Sequence, residues 1–383
     1  MTEGRSTRFT AVELSAVLTV GSVGVLIAGL QPQLLGGLAQ EGRLSADALG
    51  DVATAELLAM GVAAGGAGLL LKAARLQPMA ALALVALALL NFATARASGG
   101  AILGLRATAG LAEGILVWLT IGTIVRTAHP ARWSGVYLLV QTGAQFAVAT
   151  AFGLWIIPAD GSSGGFLALG IVSALAFLAL PWLPRRYEPL AEPTTVAASV
   201  PARGWIALAS VACWLAFVVA VWVYVEPLAL QRGLGHREVA VIAPLSLAMQ
   251  MVGASAATLL AGRWAALPVL FGCAAANVAL LAVMGAPGSG GAFVAATAAF
   301  GFLWLFAMPF QLPVLMAADP SRRSAELAGG AQLAGASLGP LLASRLVTDR
   351  DVSHVLSFGT VALALALLLT IAGVIGRRPL AIR

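Results

Sequence analysis

The sequence predicts an all-α integral membrane fold: twelve transmembrane helices in two pseudo-symmetric six-helix bundles. Three observations carry this. Of the 383 residues, 60% are hydrophobic and the mean hydropathy is +0.95. Only 10% are charged, against about 25% in an ordinary soluble domain. Apolar runs of membrane-spanning length recur along the whole chain, broken by Gly, Pro and charge. So few charges cannot coat a soluble globule of this size, which argues against a soluble enzyme, a nucleic-acid binder or a disordered scaffold. The net charge of +6 and pI near 10.3 come from basic residues spread singly, with no run of nucleic-acid-patch density. The partner this charge suits is the cytoplasmic leaflet of a bilayer.

A membrane helix needs about 20 apolar residues. Twelve stretches qualify: 12–39, 46–71, 77–95, 102–125, 133–157, 165–184, 205–230, 238–261, 266–284, 292–316, 326–347 and 354–375. Together they leave no room for a sizeable domain outside the membrane. Each is expected to be helical, because backbone groups in lipid need internal partners. The first is longer than a bilayer requires, so its end near Pro32 is expected to project beyond the hydrocarbon. Met1 to Arg8 leads into it without a small-residue cleavage site, which reads as an uncleaved first helix.

Charge sets the orientation. With the N-terminus inside, fifteen Lys and Arg residues fall on the cytoplasmic side and six on the other, with Arg106 left inside a span. That bias predicts a multi-pass protein of the cytoplasmic (inner) membrane with both termini in the cytoplasm. The longest polar segment, residues 185–204, carries three prolines and reads as a cytoplasmic linker. It separates an N-terminal bundle, 1–184, from a C-terminal bundle, 205–383.

The halves look duplicated. Gly143-Ala-Gln145 in the fifth span recurs as Gly330-Ala-Gln332 in the eleventh, at an offset of 187 residues. Ser98-Gly-Gly-Ala101 before the fourth span recurs as Ser289-Gly-Gly-Ala292 before the tenth, at an offset of 191, which aligns Gly110 with Gly301. Gln31-Pro32 ends the first span much as Glu226-Pro227 ends the seventh. Such repeats are a signature of secondary transporters, with the solute site between halves near the midplane.

With twelve spans, a central linker and these motif positions, nearly the whole chain resembles the major facilitator superfamily. The best local match is Arg106-Ala-Thr-Ala-Gly110-Leu-Ala-Glu-Gly114 in span four, where the resemblance implies a role for the Arg in proton coupling. The family's loop between spans two and three is represented by Gly68-Leu-Leu70-Leu-Lys72-Ala-Ala-Arg75, with Lys72 in place of the usual Asp. The Gly-Pro signature of the family's antiporters is absent from residues 141–157; Gly339-Pro340 in span eleven is similar. The resemblance also implies a monomer.

The candidate proton-coupling residues are Arg106, Glu113, Glu56 and Asp51. An ionisable group at this depth usually marks a substrate or proton path, the alternative being a fixed ion pair between helices. Arg106 and Glu113 are seven apart, so they share a face within about 20° but are separated by roughly 10.5 Å along the axis. That spacing reads as too long for a direct pair, though both can face one cavity. Glu56 falls at a similar depth to Glu113, and Asp51 near the level of Arg106. Asp51 and Glu56 are about 140° apart around their helix, so they are expected to face different ways. Glu13, Glu226 and Glu326 lie near span ends, where snorkelling and capping are expected.

The second half carries no charge at mid-membrane. Where the repeat puts Arg106 and Glu113 it has Thr297 and Trp304. This reads as a division of labour, with proton coupling in the first half and an aromatic wall in the second. The candidate substrate-binding residues are Gln145, Gln332, Trp304, Trp214, Gln141 and Gln311. An amide in the bilayer needs a helix or a solute as partner, and an aromatic is otherwise core or lipid-facing. Trp133, Trp182, Trp205 and Trp264 read as the interfacial aromatic belt.

Other features read as packing. Gly335-x-Ser337-x-Gly339 has no preceding strand and is not a nucleophile elbow. Gly61-x-x-x-Gly65 and Gly110-x-x-x-Gly114 read as close helix contacts. Cys213 and Cys273 form neither a disulfide framework nor a metal motif. The three histidines form no cluster, and no phosphate-binding loop is present to power ATP-driven transport. No cofactor and no nucleic-acid partner is expected. The sequence therefore predicts a proton-coupled secondary active transporter, not an enzyme. It would move a small organic solute, an aromatic or amphipathic acid among the candidates, across the membrane by alternating access. A multidrug efflux proton antiporter is the alternative, and an intramembrane enzyme or a non-transporting sensor a remoter one. Import against export stays open.

Overall fold

A computed structural model describes residues 9–70, 75–186, 199–260, 263–319 and 321–374. Residues 71–74, with Lys72 of the loop between spans two and three, and 187–198, most of the expected linker, lie outside the described residues. All regular structure among the described residues is helical, apart from one isolated bridge between Thr348 and Asp351. In the first half the helices are α1 (Ala11–Gly24), α2 (Leu26–Gln40), α3 (Ala46–Leu70), α4 (Leu76–Thr94), α5 (Gly100–Ile124), α6 (Pro130–Ala151) and α7 (Ile157–Ala176). A π turn at Phe152–Ile156 joins α6 to α7, and a 3-10 turn at Phe177–Trp182 follows. The second half has α8 (Ala202–Gln231), α9 (His236–Leu260), α10 (Ala266–Gly285), α11 (Gly290–Ala318), the short α12 (Arg323–Glu326), α13 (Ala328–Ser344) and α14 (His354–Val374).

Local chemistry explains several boundaries. Thr10 and Glu13 form a reciprocal cap: the Glu13 N–H donates to Thr10 Oγ1 at 3.2 Å, and the Thr10 N–H donates to the Glu13 carboxylate at 2.8 Å. This is the capping role expected of Glu13. Val25 leaves helical geometry and divides the first apolar run into α1 and α2.

Ten helical runs among the described residues are long and apolar enough to cross a membrane, against the twelve expected. Two features account for the difference. Arg132–Trp182 is one 51-residue run containing both the fifth and sixth expected spans. It turns at Gly161, whose φ of 64° and ψ of −161° only glycine adopts readily. The eleventh expected span is helical as α13 but has only 17 residues.

The chain divides into two compact units. The first is Met1–Leu30 with Ala55–Val196, and the second is Gln31–Thr54 with Ala197–Arg383. The helical hairpin of residues 31–54 therefore belongs to the second unit. In the first unit α1, α4 and α5 bury a core that includes Val17, Val20, Leu84, Leu87, Leu116 and Leu119. Gly110 and Gly114 of α5 lie under the carbonyls of Glu56 and Met60, leaving no room for a Cβ, so α3 and α5 meet backbone to backbone. The second unit is built around α8, buried over most of its length. Gly335 and Gly339 of α13 lie against the Ala212 and Ala216 carbonyls of α8. The Ser337 hydroxyl merely donates to the Leu333 carbonyl at 2.8 Å, which fits the packing reading of that motif. Gly301 of α11 lies under the Ser246 carbonyl of α9. Gly110 and Gly301, aligned by the sequence repeat, thus make the same kind of close helix contact, each within its own unit.

Candidate functional site

Four helices of the first unit converge on one guanidinium. Helix α5 supplies Arg106 and, two turns on, Glu113. Because Gly110 lets α3 close on α5 between those two positions, Glu56 of α3 arrives at the same level. Its carboxylate Oε1 pairs with Arg106 Nη2. Glu113 Oε1 accepts from the same nitrogen at 3.3 Å. Asn91 Oδ1 of α4 accepts from Nη1 at 2.7 Å. The Phe166 ring of α7 lies 5.4 Å from the guanidinium carbon, a cation–π distance.

The direct Arg106–Glu113 contact corrects the sequence expectation that the two are too far apart to pair. The axial rise separates the backbones, but a helical side chain leans toward the N-terminus. Glu113 therefore reaches back toward Arg106 and the flexible guanidinium meets it.

The cluster is sealed from solvent: Arg106 is 1% exposed, Glu56 0% and Glu113 2%. Glu56 Oε2, Glu113 Oε2 and Arg106 Nε have no hydrogen-bond partner among the described residues. Two carboxylates against one guanidinium leave one negative charge in excess. A buried charge without a partner is costly, and one proton shared between the two carboxyls brings the cluster to neutrality. The arrangement can therefore hold one exchangeable proton beside a fixed positive charge.

Asp51 is not brought to this cluster. It lies in the second unit, where its Oδ1 accepts from Arg345 Nη2 at 3.0 Å and the Ser344 hydroxyl at 3.2 Å. Asp51 and Glu56 face different ways, as their spacing predicts. Gln145 is buried, and its Nε2 donates to the Val25 carbonyl at 2.7 Å. It packs on Gly29, so this amide braces the break between α1 and α2. Gln141 is half-buried one turn earlier.

In the second unit Trp214 is buried with its indole N–H unpartnered among the described residues. Its ring meets Phe217 edge-on at 6.5 Å. Phe217 meets Phe300 at 5.7 Å, and Phe300 meets Trp304 at 6.4 Å. Trp304 in turn lies 5.9 Å from Trp222, so the ring set is continuous. Gln311 and Gln250 are buried, and among the described residues the Gln311 Oε1 and the Gln250 Nε2 have no hydrogen-bond partner. Gln332 is half-buried.

Two residues of the cluster, Asn91 and Phe166, are not among the sequence candidates, and one carboxyl, Glu226, is placed differently from the expectation. Asn91 had a signal, being an amide inside an apolar span. Phe166 had none, since a phenylalanine is ordinary in a membrane helix. Glu226 was misread: expected to snorkel or cap near a span end, it is buried, and Gln40 Nε2 donates to its Oε1 at 3.4 Å. The reason is that α8 runs on to Gln231 and residues 31–54 cover it.

No protein-family model matches the sequence, and no curated protein matches it. Solved structures do match in fold. A crystal structure of a point mutant of the nucleoside transporter NupG matches at TM-score 0.73 and 13% identity, covering 94% of this chain and 98% of that one. A second NupG structure matches at TM-score 0.72 and 11% identity, covering 96% and 100%. A bacterial homologue of the human lysosomal transporter Spinster, inward-facing and occupied, matches at TM-score 0.60 and 15% identity, covering 94% of each chain. Across nearly its whole length, the chain therefore has the fold of these solved transporter structures.

Proposed function

We propose that this protein is a proton-coupled secondary transporter that moves a small organic solute across the cytoplasmic membrane by alternating access. The observation that carries this reading is the buried Glu56–Arg106–Glu113 cluster: one guanidinium, two carboxylates, and room in the charge balance for one proton. A cluster serving only to hold helices together would be neutral with a single carboxylate. The fold shared with transporters supports the same reading. Glu113, whose contact with the guanidinium is the looser, is the proton carrier, and Glu56 is the fixed partner.

The solute reading shifts from the sequence expectation. The sequence allows an aromatic or amphipathic acid among the candidates, since Arg106 could receive its carboxylate. The guanidinium is already engaged by Glu56, Glu113, Asn91 and Phe166. Arg106 is also the one buried cation among the described residues. The ring set from Trp214 to Trp222, with the unpartnered polar atoms of Trp214, Gln250 and Gln311, favours an uncharged, ring-bearing solute that both donates and accepts hydrogen bonds. That two of the similar structures are of a nucleoside transporter agrees with this chemistry.

Uptake into proteoliposomes under an imposed pH gradient tests the reading. Accumulation is expected with the gradient and is lost when a protonophore collapses it. Equal flux with and without the gradient overturns proton coupling.

A further inference from the structure

The second unit holds a buried carboxyl that the proton-coupling cluster does not use. Glu226 lies in α8 beneath the 31–54 hairpin. Among the described residues its one polar contact is Gln40 Nε2, at 3.4 Å, and no cation is within ion-pair reach. The hairpin covers it closely. A Cβ built on Gly36 would lie 3.2 Å from each of Glu226 Cβ, Cγ and Cδ, so glycine lets the backbone lie flush on the side chain. The other leg of the hairpin is seated the same way, with Gly50 under the Pro340 carbonyl of α13. Further bonds pin it: the Gly50 N–H donates to the Tyr224 hydroxyl at 3.1 Å, and the Thr54 hydroxyl to the Ser337 carbonyl at 2.6 Å. The Ala46 N–H donates to Asp349 at 2.6 Å.

We infer that Glu226 is a proton-binding site in its own right, and that the 31–54 hairpin docks on α8 only over the neutral carboxyl. An ionised carboxylate under this cover would keep one long amide hydrogen bond and no counter-ion, an arrangement that burial penalises. When the hairpin lifts, the carboxyl becomes fully hydrated, the O–H bond gives its proton to water, and the carboxylate is solvated. When the hairpin returns, the carboxylate takes a proton back. Docking and protonation are then one linked equilibrium, in which the docked form holds one more proton than the lifted form.

The other titratable and charged groups on the packed elements have different partners or none in Glu226. On the hairpin, Glu41 pairs with Arg43, and Asp51 with Arg345. Asp47 lies in the first turn of α3. On α8, Tyr224 accepts from Gly50, and Arg232 caps the helix end. Beyond α13, Asp349 holds the Ala46 N–H and Asp351 the Ser353 N–H, while the Arg350 carbonyl accepts from Gln231. No salt bridge among the described residues joins any of them to Glu226. The proton is therefore the species that neutralises it.

The inference goes beyond the transport reading, since it needs neither a solute nor a gradient. Hydrogen–deuterium exchange of residues 31–54 in the full-length protein, purified in lipid nanodiscs, tests it between about pH 6 and pH 9. After correction for intrinsic exchange, opening of the wild-type hairpin is expected to increase with pH. One linked proton limits the rise to about tenfold per pH unit. Glu226→Gln, and Glu226→Leu as a second neutral side chain should the amide fold poorly, are expected to flatten that rise and keep the hairpin protected. Glu113→Gln is expected to leave the rise intact, which separates this site from the Arg106 cluster. A flat wild-type profile overturns the inference. So does a folded neutral variant that keeps the wild-type slope, because the proton would then belong to another group.

Discussion

Glu56 meets the helix of Arg106 at two points: its carboxylate pairs with the Arg106 guanidinium, and its carbonyl lies on Gly110, one turn along the same helix. The ion pair and the α3–α5 backbone contact are parts of one joint, so steric change at Gly110 should act on the charge cluster. Gly110→Leu is expected to push α3 away, destabilise the protein by about 1–3 kcal/mol or more, and abolish transport although no charged residue is altered. Thermal unfolding and proteoliposome uptake check this. A variant with normal melting and normal uptake would show that the close contact is dispensable.

Arg106→Met tests whether the cluster is held together by its cation. Removing the guanidinium leaves two buried carboxyls without their partner, a change of about 3–5 kcal/mol when one side of a buried pair is lost. The variant should express poorly or melt lower. Adding Glu56→Leu and Glu113→Leu should recover most of the stability, because apolar replacement of a whole buried cluster is often neutral, while transport stays absent. If the triple variant melts as low as the single one, the loss is packing rather than uncompensated charge.

The sequence made much of this legible, and the limits have physical causes. Helical segments were readable because lipid leaves the backbone no alternative to internal hydrogen bonds. The break between the fifth and sixth spans was readable because Pro158, Asp160, Gly161, Ser162 and Ser163 interrupt the apolar run; that the helix continues through this segment and turns only at Gly161 was not. The cluster was half readable. Charged residues at mid-span are rare enough to stand out, so Arg106, Glu113 and Glu56 are legible as candidates. Their mutual contact was not, because helical arithmetic places backbones while the reach of Arg and Glu decides the pairing. Glu226 was misjudged because depth along a span says nothing about what another segment lays over it.

Asp319 offers a test outside the membrane-spanning helices. It follows α11 and accepts from the Ser321 hydroxyl at 2.6 Å, the Ser321 N–H at 2.9 Å and the Ser324 N–H at 2.9 Å. The bond from the Ser321 hydroxyl is the main cause holding its carboxyl below the usual aspartate range, with the backbone bonds adding to it. A depressed carboxyl stabilises the fold above its unfolded-state value, and that contribution is lost as pH falls through the folded-state value. Asp319→Asn should therefore melt lower than wild type at neutral pH. The two melting curves should converge as pH drops below the aspartate range. A gap that stays constant with pH would mean that the carboxylate charge plays no part.

Glu113→Gln separates proton carrying from structural pairing. The amide keeps the size of the carboxyl and its oxygen can still accept from Arg106, but it cannot titrate. With Glu113 uncharged, Glu56 and Arg106 balance one another, so the cluster is neutral without a proton and the fold should hold. Gradient-driven accumulation in proteoliposomes is therefore expected to vanish, while exchange of solute at equilibrium across the same membranes continues. The melting temperature should stay close to that of wild type, since no charge is left unpaired. Glu56→Gln is the contrasting case. It neutralises the tighter partner of Arg106 and forces Glu113 to stay ionised as the sole counter-charge, so accumulation is again lost, now with the carrier locked. If Glu113→Gln accumulates solute normally, Glu113 is not the carrier, and the proton must be assigned to Glu56 at the other side of the same nitrogen. If it loses exchange and accumulation together with a lowered melting temperature, the carboxylate of Glu113 is a structural counter-ion, and the cluster is a joint rather than a proton site.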